Sequence, residues 1–259
     1  MAQQSRHEKI IELVRQRGFV TIEDLAKRFG VTPQTVRRDI NHLSDQAMLR
    51  RYHGGAGLPS NVENVAYSNR QVLHTEEKRR IAALAARHIP DQSSLFINIG
   101  TTTEAVAEAL TNHRELRVIT NNLNVAMALS QKEDFQVVVV GGLVRSRDRG
   151  IVGEATLDFI RQFRVEYAII GISGIESDGT LLDFDYREVR ASKAIIDGSR
   201  EVFLVADHSK FGRNAMVGLG NITEVSALFT DQPPPAPIQA LLDQNGIAVH
   251  IAPPPVSSD

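Results

Sequence analysis

The chain has 259 residues, 42% of them apolar and 23% charged, enough for a sizeable core in one large domain or in a small domain plus a medium one. It contains no cysteine, which excludes disulfides, thiolate nucleophiles and cysteine-held metals. No run approaches the ~18 apolar residues of a membrane span, and the charged opening MAQQSRHEKIIEL lacks a signal peptide's apolar run, so a cytoplasmic protein is expected. The net charge of −2 hides a basic head on an acidic body: residues 1–60 hold ten Lys and Arg against six Asp and Glu, and the remainder 19 against 25. Positive charge on a small domain steers it toward phosphate without conferring specificity.

Ser5 with Glu8 has the spacing of a capping box. Ile10, Ile11, Leu13 and Val14 follow on one helical side and Gly18 supplies a stop, which predicts a first helix. Thr21 with Asp24 repeats the start signal, Ile22, Leu25, Ala26 and Phe29 form an apolar stripe, and Gly30 terminates a short second helix. Thr32 as cap and Pro33 at the first helical position open a third, with Val36, Ile40 and Leu43 on one side at i, i+4 and i+7. Two short helices joined by a tight Gly-containing turn match a helix-turn-helix. Gln34, Thr35, Arg37 and Arg38 point away from the core of the second of them, and Asn41 and the cap Thr32 are counted with them as DNA-contacting. In a major groove Gln reads adenine, and Arg reads guanine or holds phosphate. MLRRYHGGAGL then reads as strand, Gly-Gly turn and strand, a basic wing that brings Arg50, Arg51 and His53 to the backbone or minor groove. A capped helix with two arginines is by itself commonplace on protein surfaces. The full order of helix, helix, short turn, reader helix and basic wing reverses those odds, while a histidine before Gly-Gly also serves simply to shape a turn.

Residues 58–75, LPSNVENVAYSNRQVLHT, show no sustained period, which predicts a linker between a head over 1–57 and a body over 76–252, with 253–259 as a loose tail. From Thr75, TEEKRRIAALAARHI reads as a capped helix. Strands such as SLFIN, LRVIT, FQVVVVGG, VEYAIIGI and EVFLVAD then alternate with helices such as TTEAVAEAL and DYREVRASKAIIDGS. The strands are near-continuous apolar runs, as strands covered on both faces require, so the body is expected to be an α/β sandwich with a largely parallel sheet.

Ligands of such sheets bind beyond the C-terminal strand ends. There stand Gly100, Thr101, Thr102 and Thr103 at the start of a helix whose free N–H groups suit a phosphate, then Asn121 and Asn122, Gly141 and Gly142, Ser173 and Gly174, and Lys210. Small polar groups of this kind point to a phosphorylated polyol or sugar rather than an apolar ligand. Threonine is also an ordinary helix cap, so the Gly-Thr-Thr-Thr loop alone is a weak signal. Asp185 and Glu188 serve equally well as acceptors of ligand hydroxyls or as a solvated helix start.

VTPQTVRRDINHL followed by RRYHGGA closely resembles the N-terminal signature of the DeoR family of bacterial transcription regulators. The resemblance runs on through EEKRRIA, INIGTTTEA, TNNLNVA, VGGLVRS, GEATLDF and ADHSKFGRNAMV, nearly the whole chain. It implies a winged helix-turn-helix followed by a sensor domain similar in fold to ribose-5-phosphate isomerase. It also implies that a phosphorylated sugar metabolite is held through Gly100, Thr101, Thr102 and Lys210. The expected function is that of a repressor, a homodimer or homotetramer, released from double-stranded operator DNA by a small phosphate ester, with glycerol 3-phosphate foremost. One departure is Asn98, which stands where many relatives carry Asp. A rival reading, a sugar-phosphate isomerase with a DNA-binding head, needs a carboxylate base and a cationic group at the oxyanion. GTLLDFDYREVR lacks the Lys-Gly-rich run that isomerases carry before their glutamate, and no Gly-Lys-Thr loop, HExxH helix or Gly-x-Ser-x-Gly turn occurs. Neither catalysis nor a cofactor or metal is therefore expected. A structural protein with an idle pocket is the third alternative.

Overall fold

The computed structural model describes residues 2–17, 19–46, 48–52, 55–57 and 67–254. The chain divides into two compact units, Met1–Val65 and Ala66–Asp259.

The first unit runs α1 (Ala2–Arg17), β1 (Phe19–Thr21), α2 (Ile22–Phe29), α3 (Pro33–Asp45), β2 (Arg50–Tyr52) and β3 (Gly55–Gly57). α2 and α3 start where their capping residues dictate: Thr21 Oγ1 accepts the Asp24 N–H at 3.1 Å and Thr32 Oγ1 that of Thr35 at 3.2 Å. Gly30 ends α2 at φ 62° and ψ 32°, a left-handed turn that a side chain would strain, and the chain reverses there into α3. α1 departs from expectation. It begins at Ala2, so Ser5 lies inside the helix rather than at its cap. Its first turns carry Arg6 and His7, which reach the buried Asp39 of α3; that carboxylate accepts Arg6 Nε at 2.7 Å, Arg6 Nη2 at 3.1 Å and His7 Nε2 at 2.9 Å. Burial alone would raise the Asp39 pKa; these partners outweigh it and hold the carboxyl below its usual range. β1 is absent from the expected elements, because three residues carry no readable alternation. It pairs antiparallel with β3, so the wing is a three-stranded sheet in the order β1-β3-β2. Ile10, Val14, Leu25, Val36, Ile40, Leu43 and Leu49 close the core, each large side chain stabilising by about 1.5–3 kcal/mol when fully buried.

The second unit opens with α4 (Tyr67–Val72), α5 (Thr75–Ala86), β4 (Ser94–Ile97), α6 (Thr101–Ala109), β5 (Arg117–Thr120), α7 (Leu123–Leu129) and β6 (Gln136–Val139). A hairpin of β7 (Leu143–Val144) and β8 (Ile151–Val152) follows, then α8 (Glu154–Ile160), β9 (Val165–Ile170), β10 (Gly174–Ile175), β11 (Thr180–Asp183) and α9 (Tyr186–Asp197). The unit ends with β12 (Ser199–Val205), β13 (Val217–Asn221), β14 (Ala227–Thr230), α10 (Ala236–Gln244) and β15 (Ala248–Ile251). Seven strands form one sheet in the order β15-β14-β12-β9-β4-β5-β6, every pairing parallel. Successive residues alternate between its two faces. Phe96, Ala168, Ile170, Leu204 and Leu228 join Leu157, Val189, Ile195 and Ile238 of α8, α9 and α10. Leu95, Ile97, Ile169, Val205 and Phe229 join Ile81, Val106, Val125 and Leu129 of α5, α6 and α7. Both faces are thus covered, which explains the apolar runs in the central strands. A small antiparallel sheet, β10-β11-β13, lies beside this sandwich in the topology.

Two boundaries differ from the sequence reading. The expected linker to residue 75 contains α4, a six-residue helix too short to show a period, and it is fastened to the body by its side chains. The Tyr67 hydroxyl donates to Glu104 Oε2 at 2.7 Å and accepts from Gln71 Nε2 at 2.9 Å and Asn124 Nδ2 at 2.8 Å. α5 is not capped by Thr75, whose hydroxyl turns back to the Gln71 carbonyl at 3.0 Å; the preceding His74 takes a left-handed conformation with no side-chain cap. Of the expected loose tail, Pro253 has its carbonyl held by Arg80 Nη1 at 2.6 Å, while 255–259 lie outside the described residues. Among the described residues no helix is long and apolar enough to cross a membrane.

Candidate functional site

In the first unit α3 presents Gln34, Arg37, Arg38 and Asn41 outward while Val36, Asp39, Ile40 and Leu43 face the core. Thr32 is spent on the cap, and its hydroxyl lies 3.0 Å from that of Thr35. Arg51 of β2 donates through Nη1 to Asn41 Oδ1 at 3.1 Å, tying the wing to the middle of α3. The Arg50 side chain and His53 lie outside the described residues. An exposed helical face with two arginines, a glutamine and an asparagine, backed by a core and braced by a basic strand, is chemically equipped for base edges and phosphates.

In the second unit the parallel strands bring the expected effector residues to one edge of the sheet, but most are already engaged. Thr103 is fully buried, and its hydroxyl donates to the Asn98 and Gly100 carbonyls, both at 2.8 Å. Asn122 caps α7 through Oδ1 and donates Nδ2 to Glu104 Oε1 at 2.9 Å. Ser173 donates to Asp183 Oδ1 at 3.1 Å. Asn121 donates to the Ile151 carbonyl at 3.3 Å, leaving its buried Oδ1 without a partner. Gly141 and Gly142 are exposed, and the Gly141 carbonyl accepts the Thr156 hydroxyl at 2.8 Å. Gly174 is required by close approach, since a Cβ there would stand 1.9 Å from the Arg213 carbonyl oxygen. Thr102 is buried, Thr101 is half-buried, and the N-terminus of α6 at Gly100 offers free backbone N–H groups and the positive end of its dipole. Asn98 is a structural clamp, donating to Ser192 Oγ and accepting the Gly171 N–H, both at 3.2 Å, which is work for an amide rather than a carboxylate.

Lys210 is the expected residue whose charge stays uncommitted. Burial, reinforced by Arg213, Lys78 and Arg70 and opposed by Asp207, pushes its ammonium down to about 8. Arg213 is lowered by burial and by Arg70, and Lys78 by burial. Among the described residues neither Lys210 nor Arg213 has a carboxylate within ion-pair distance. Arg70 Nη2 stands 3.9 Å from Asp148 Oδ2, and its buried Nε has no partner. The buried Asp207 also leaves one oxygen, Oδ2, unpaired. The edge therefore gathers cations whose burial penalises their charge and whose carboxylate neighbours, Asp207, Asp183 and Asp148, make no close ion pair with them among the described residues, an arrangement that suits a bound dianion.

Asp185 and Glu188 do something else. Arg145 Nη1 donates to Asp185 Oδ2 and Nη2 to Glu188 Oε2, both at 2.7 Å, while Nε and Nη2 reach the two oxygens of Asp148 at 3.1 and 2.7 Å. Asp185 also caps α9. Burial, with Asp183 adding to it, pushes Glu188 up to about 7. These carboxylates join the β7–β8 hairpin to α9 rather than standing open to a ligand.

The family model described as "DeoR-like helix-turn-helix domain" matches residues 6–62, and the one described as "DeoR C terminal sensor domain" matches residues 73–232. The chain belongs to the DeoR family. It is 56% identical over 251 residues to the glycerol-3-phosphate regulon repressor of Escherichia coli (strain K12), covering 97% of this chain and 100% of that one. The Haemophilus influenzae protein of the same name is 50% identical, covering 94% and 95%. The transcriptional repressor CsqR of Escherichia coli is 45% identical, covering 94% of each chain. Ribose 5-phosphate isomerase A from Neisseria gonorrhoeae is similar over 52% of each chain, at 16% identity and a TM-score of 0.38. For this DeoR-family chain, sequence reading misses Arg70, Lys78 and Arg213. Arg70 falls in the expected linker, Lys78 looks like part of a solvated helix start, and Arg213 sits in ADHSKFGRNAMV with no local pattern to mark it. The signal available is their charge type near strand ends, since nothing in their spacing connects them.

Proposed function

We propose that this chain is a DNA-binding repressor of a glycerol 3-phosphate regulon, acting in the cytoplasm as a homodimer or homotetramer. It grips double-stranded operator DNA through α3 and the wing. It lets go when sn-glycerol 3-phosphate occupies the edge formed by Arg70, Lys210, Arg213 and the N-terminus of α6. The observation that carries this reading is the gathering of three cations, Lys210 and Arg213 without an ion pair among the described residues and Arg70 with only a long one of 3.9 Å to Asp148, at the same end of the sheet as free helix-terminal amides, which suits a phosphate monoester dianion. The unpaired Asp207 Oδ2 and Asn121 Oδ1 supply acceptors for the hydroxyls of a small polyol. The names of the relatives at 50% and 56% identity favour the same ligand. Release follows only if the ligand binds the arrangement of heads that DNA does not accept more tightly than the one it does. One winged head buries a limited DNA surface, so several heads on repeated half-sites supply the operator affinity.

The test is calorimetry of the full chain with sn-glycerol 3-phosphate, ribose 5-phosphate, fructose 6-phosphate and glycerol, paired with a mobility shift on operator DNA. Glycerol 3-phosphate is expected to bind and to release the DNA, and Arg213→Gln to bind it at least about tenfold more weakly, as removal of one charge-assisted hydrogen bond implies. Equal binding of the phosphate-free glycerol, or unchanged affinity in the variant, would refute the assignment of the cations.

A further inference from the structure

We infer that α4 is the relay between the effector edge and the DNA-binding unit: Arg70 senses the anion while Tyr67, three residues earlier, holds the same helix to α6 and α7. The inference rests on the function proposed above and adds the route by which occupancy is reported.

Three observations carry it. The first is position in the chain. The boundary between the units falls after Val65, and α4 begins at Tyr67, so it is the first element of the second unit along the path to the head. α4 is the described element of the second unit nearest in sequence to the reader helix. The second is the state of Arg70. Its Nη2 stops 3.9 Å short of Asp148 Oδ2, its buried Nε is unpaired, and Lys210 and Arg213 both feel its charge as repulsion. A dianion bound between these cations reverses the sign of the force on Arg70, from repulsion by Lys210 and Arg213 to attraction toward a shared counterion.

The third is how α4 is fastened. Tyr67 donates to Glu104, and Glu104 in turn accepts from Asn122 Nδ2 at 2.9 Å and Asn124 Nδ2 at 3.0 Å. Glu104 sits in the first turn of α6, the helix whose N-terminus faces the effector edge. At the other end the Lys78 ammonium donates to the carbonyls of Arg70 and Leu73. The bonds holding α4 are thus directional and polar, and the one from Tyr67 meets those from Asn122 and Asn124 at Glu104. The relay requires such an element to have two seats rather than a continuum of positions.

Tyr67→Phe in the full chain removes one hydroxyl and keeps the ring. The readouts are calorimetry with sn-glycerol 3-phosphate, operator binding by anisotropy with and without it, and hydrogen exchange of the amides of residues 67–72. Expected are near-wild-type ligand affinity in the variant, and a ligand-dependent change in α4 exchange in the wild type. The ratio of operator affinities without and with ligand, about 5–150-fold in a coupled regulator, should fall by roughly threefold or more. Should Tyr67→Phe fail to fold by circular dichroism, Glu104→Gln removes the charge at the centre of the same set and is read in the same way. An unchanged ratio together with α4 exchange indifferent to ligand sinks the relay while leaving the proposed function standing. A wild-type protein that neither binds glycerol 3-phosphate nor responds to it on DNA sinks the proposed function, and the relay with it.

Discussion

Raising the pH from 7 to 9 should weaken sn-glycerol 3-phosphate binding about tenfold, and Lys210 should be the cause. Its ammonium is lowered to about 8 by burial and by Arg213, Lys78 and Arg70, which places its titration in that window. With such a value about nine-tenths of the side chain is charged at pH 7 and about one-tenth at pH 9. A dianion that binds only the charged form loses roughly tenfold in affinity, or about 1.4 kcal/mol. The ligand itself stays dianionic throughout, because a phosphate monoester has its second pKa near about 6. The stability of the ligand-free protein moves in the opposite direction. The unfolded lysine keeps its proton to about 10.4, so between about pH 8 and 10 the unfolded chain binds more protons, and this group's contribution to stability rises with pH. Calorimetry at pH 7, 8 and 9, in buffers of different ionisation enthalpy, should show the fall in affinity together with proton uptake on binding. Lys210→Met should bind weakly at pH 7 and lose the slope. A flat profile with no proton uptake, or the same slope in the methionine variant, would remove Lys210 from the site.

Three further outcomes are expected. Asp39→Ala leaves Arg6 and His7 without their acceptor and should destabilise the head by about 2–4 kcal/mol, seen by scanning calorimetry as a lowered transition for the head alone. Because the Asp39 pKa is depressed, its contribution is fully present above about pH 4 and is lost as pH falls through the folded value; the variant should lack that acid sensitivity. Arg37→Ala should weaken operator binding and leave ligand binding intact. If Arg37 holds a phosphate, its removal lowers the log-log salt slope by about 0.9, whereas if it reads a base the cost is about 1–3 kcal/mol and specificity relaxes at one position. Gly174→Ala forces a methyl group against the Arg213 carbonyl and should cost about 1–3 kcal/mol of stability while weakening phosphate binding; an unaltered melting temperature and affinity would contradict that close approach.

The helix-turn-helix is legible because its signals are local: Thr21, Gly30, Thr32 and Pro33 each act within four residues, and the structure places Thr21 and Thr32 at the starts of α2 and α3 and Gly30 at the end of α2. The parallel sandwich was legible for the same reason, since a strand buried on both faces cannot hide its apolar run. The start of α1 differs from the capping-box reading, since the helix begins at Ala2, and its anchorage through Arg6 to Asp39 lies more than thirty residues away in sequence, where no local signal shows it. Short elements such as β1, β7 and α4 carry too few residues for a period. At the proposed effector edge the strand-end rule points to the same end of the sheet, but several of the polar groups it names are already engaged. Thr103, Asn122 and Ser173 look like ligand contacts in sequence, but their hydrogen bonds are consumed in shaping the loops. Arg70, Lys78 and Arg213 come from separate segments, and only the fold collects their charges.

Arg145 fills four directions at once, toward both oxygens of Asp148, one of Asp185 and one of Glu188. A flat head group with five fixed donors works there as a gauge, setting how far the β7–β8 hairpin stands from the start of α9. Lysine would deliver the same unit of charge from a single point, without a plane to aim it. What the position selects is therefore the shape of the cation more than its sign, and an exchange that looks conservative on paper would leave the two segments without a common ruler.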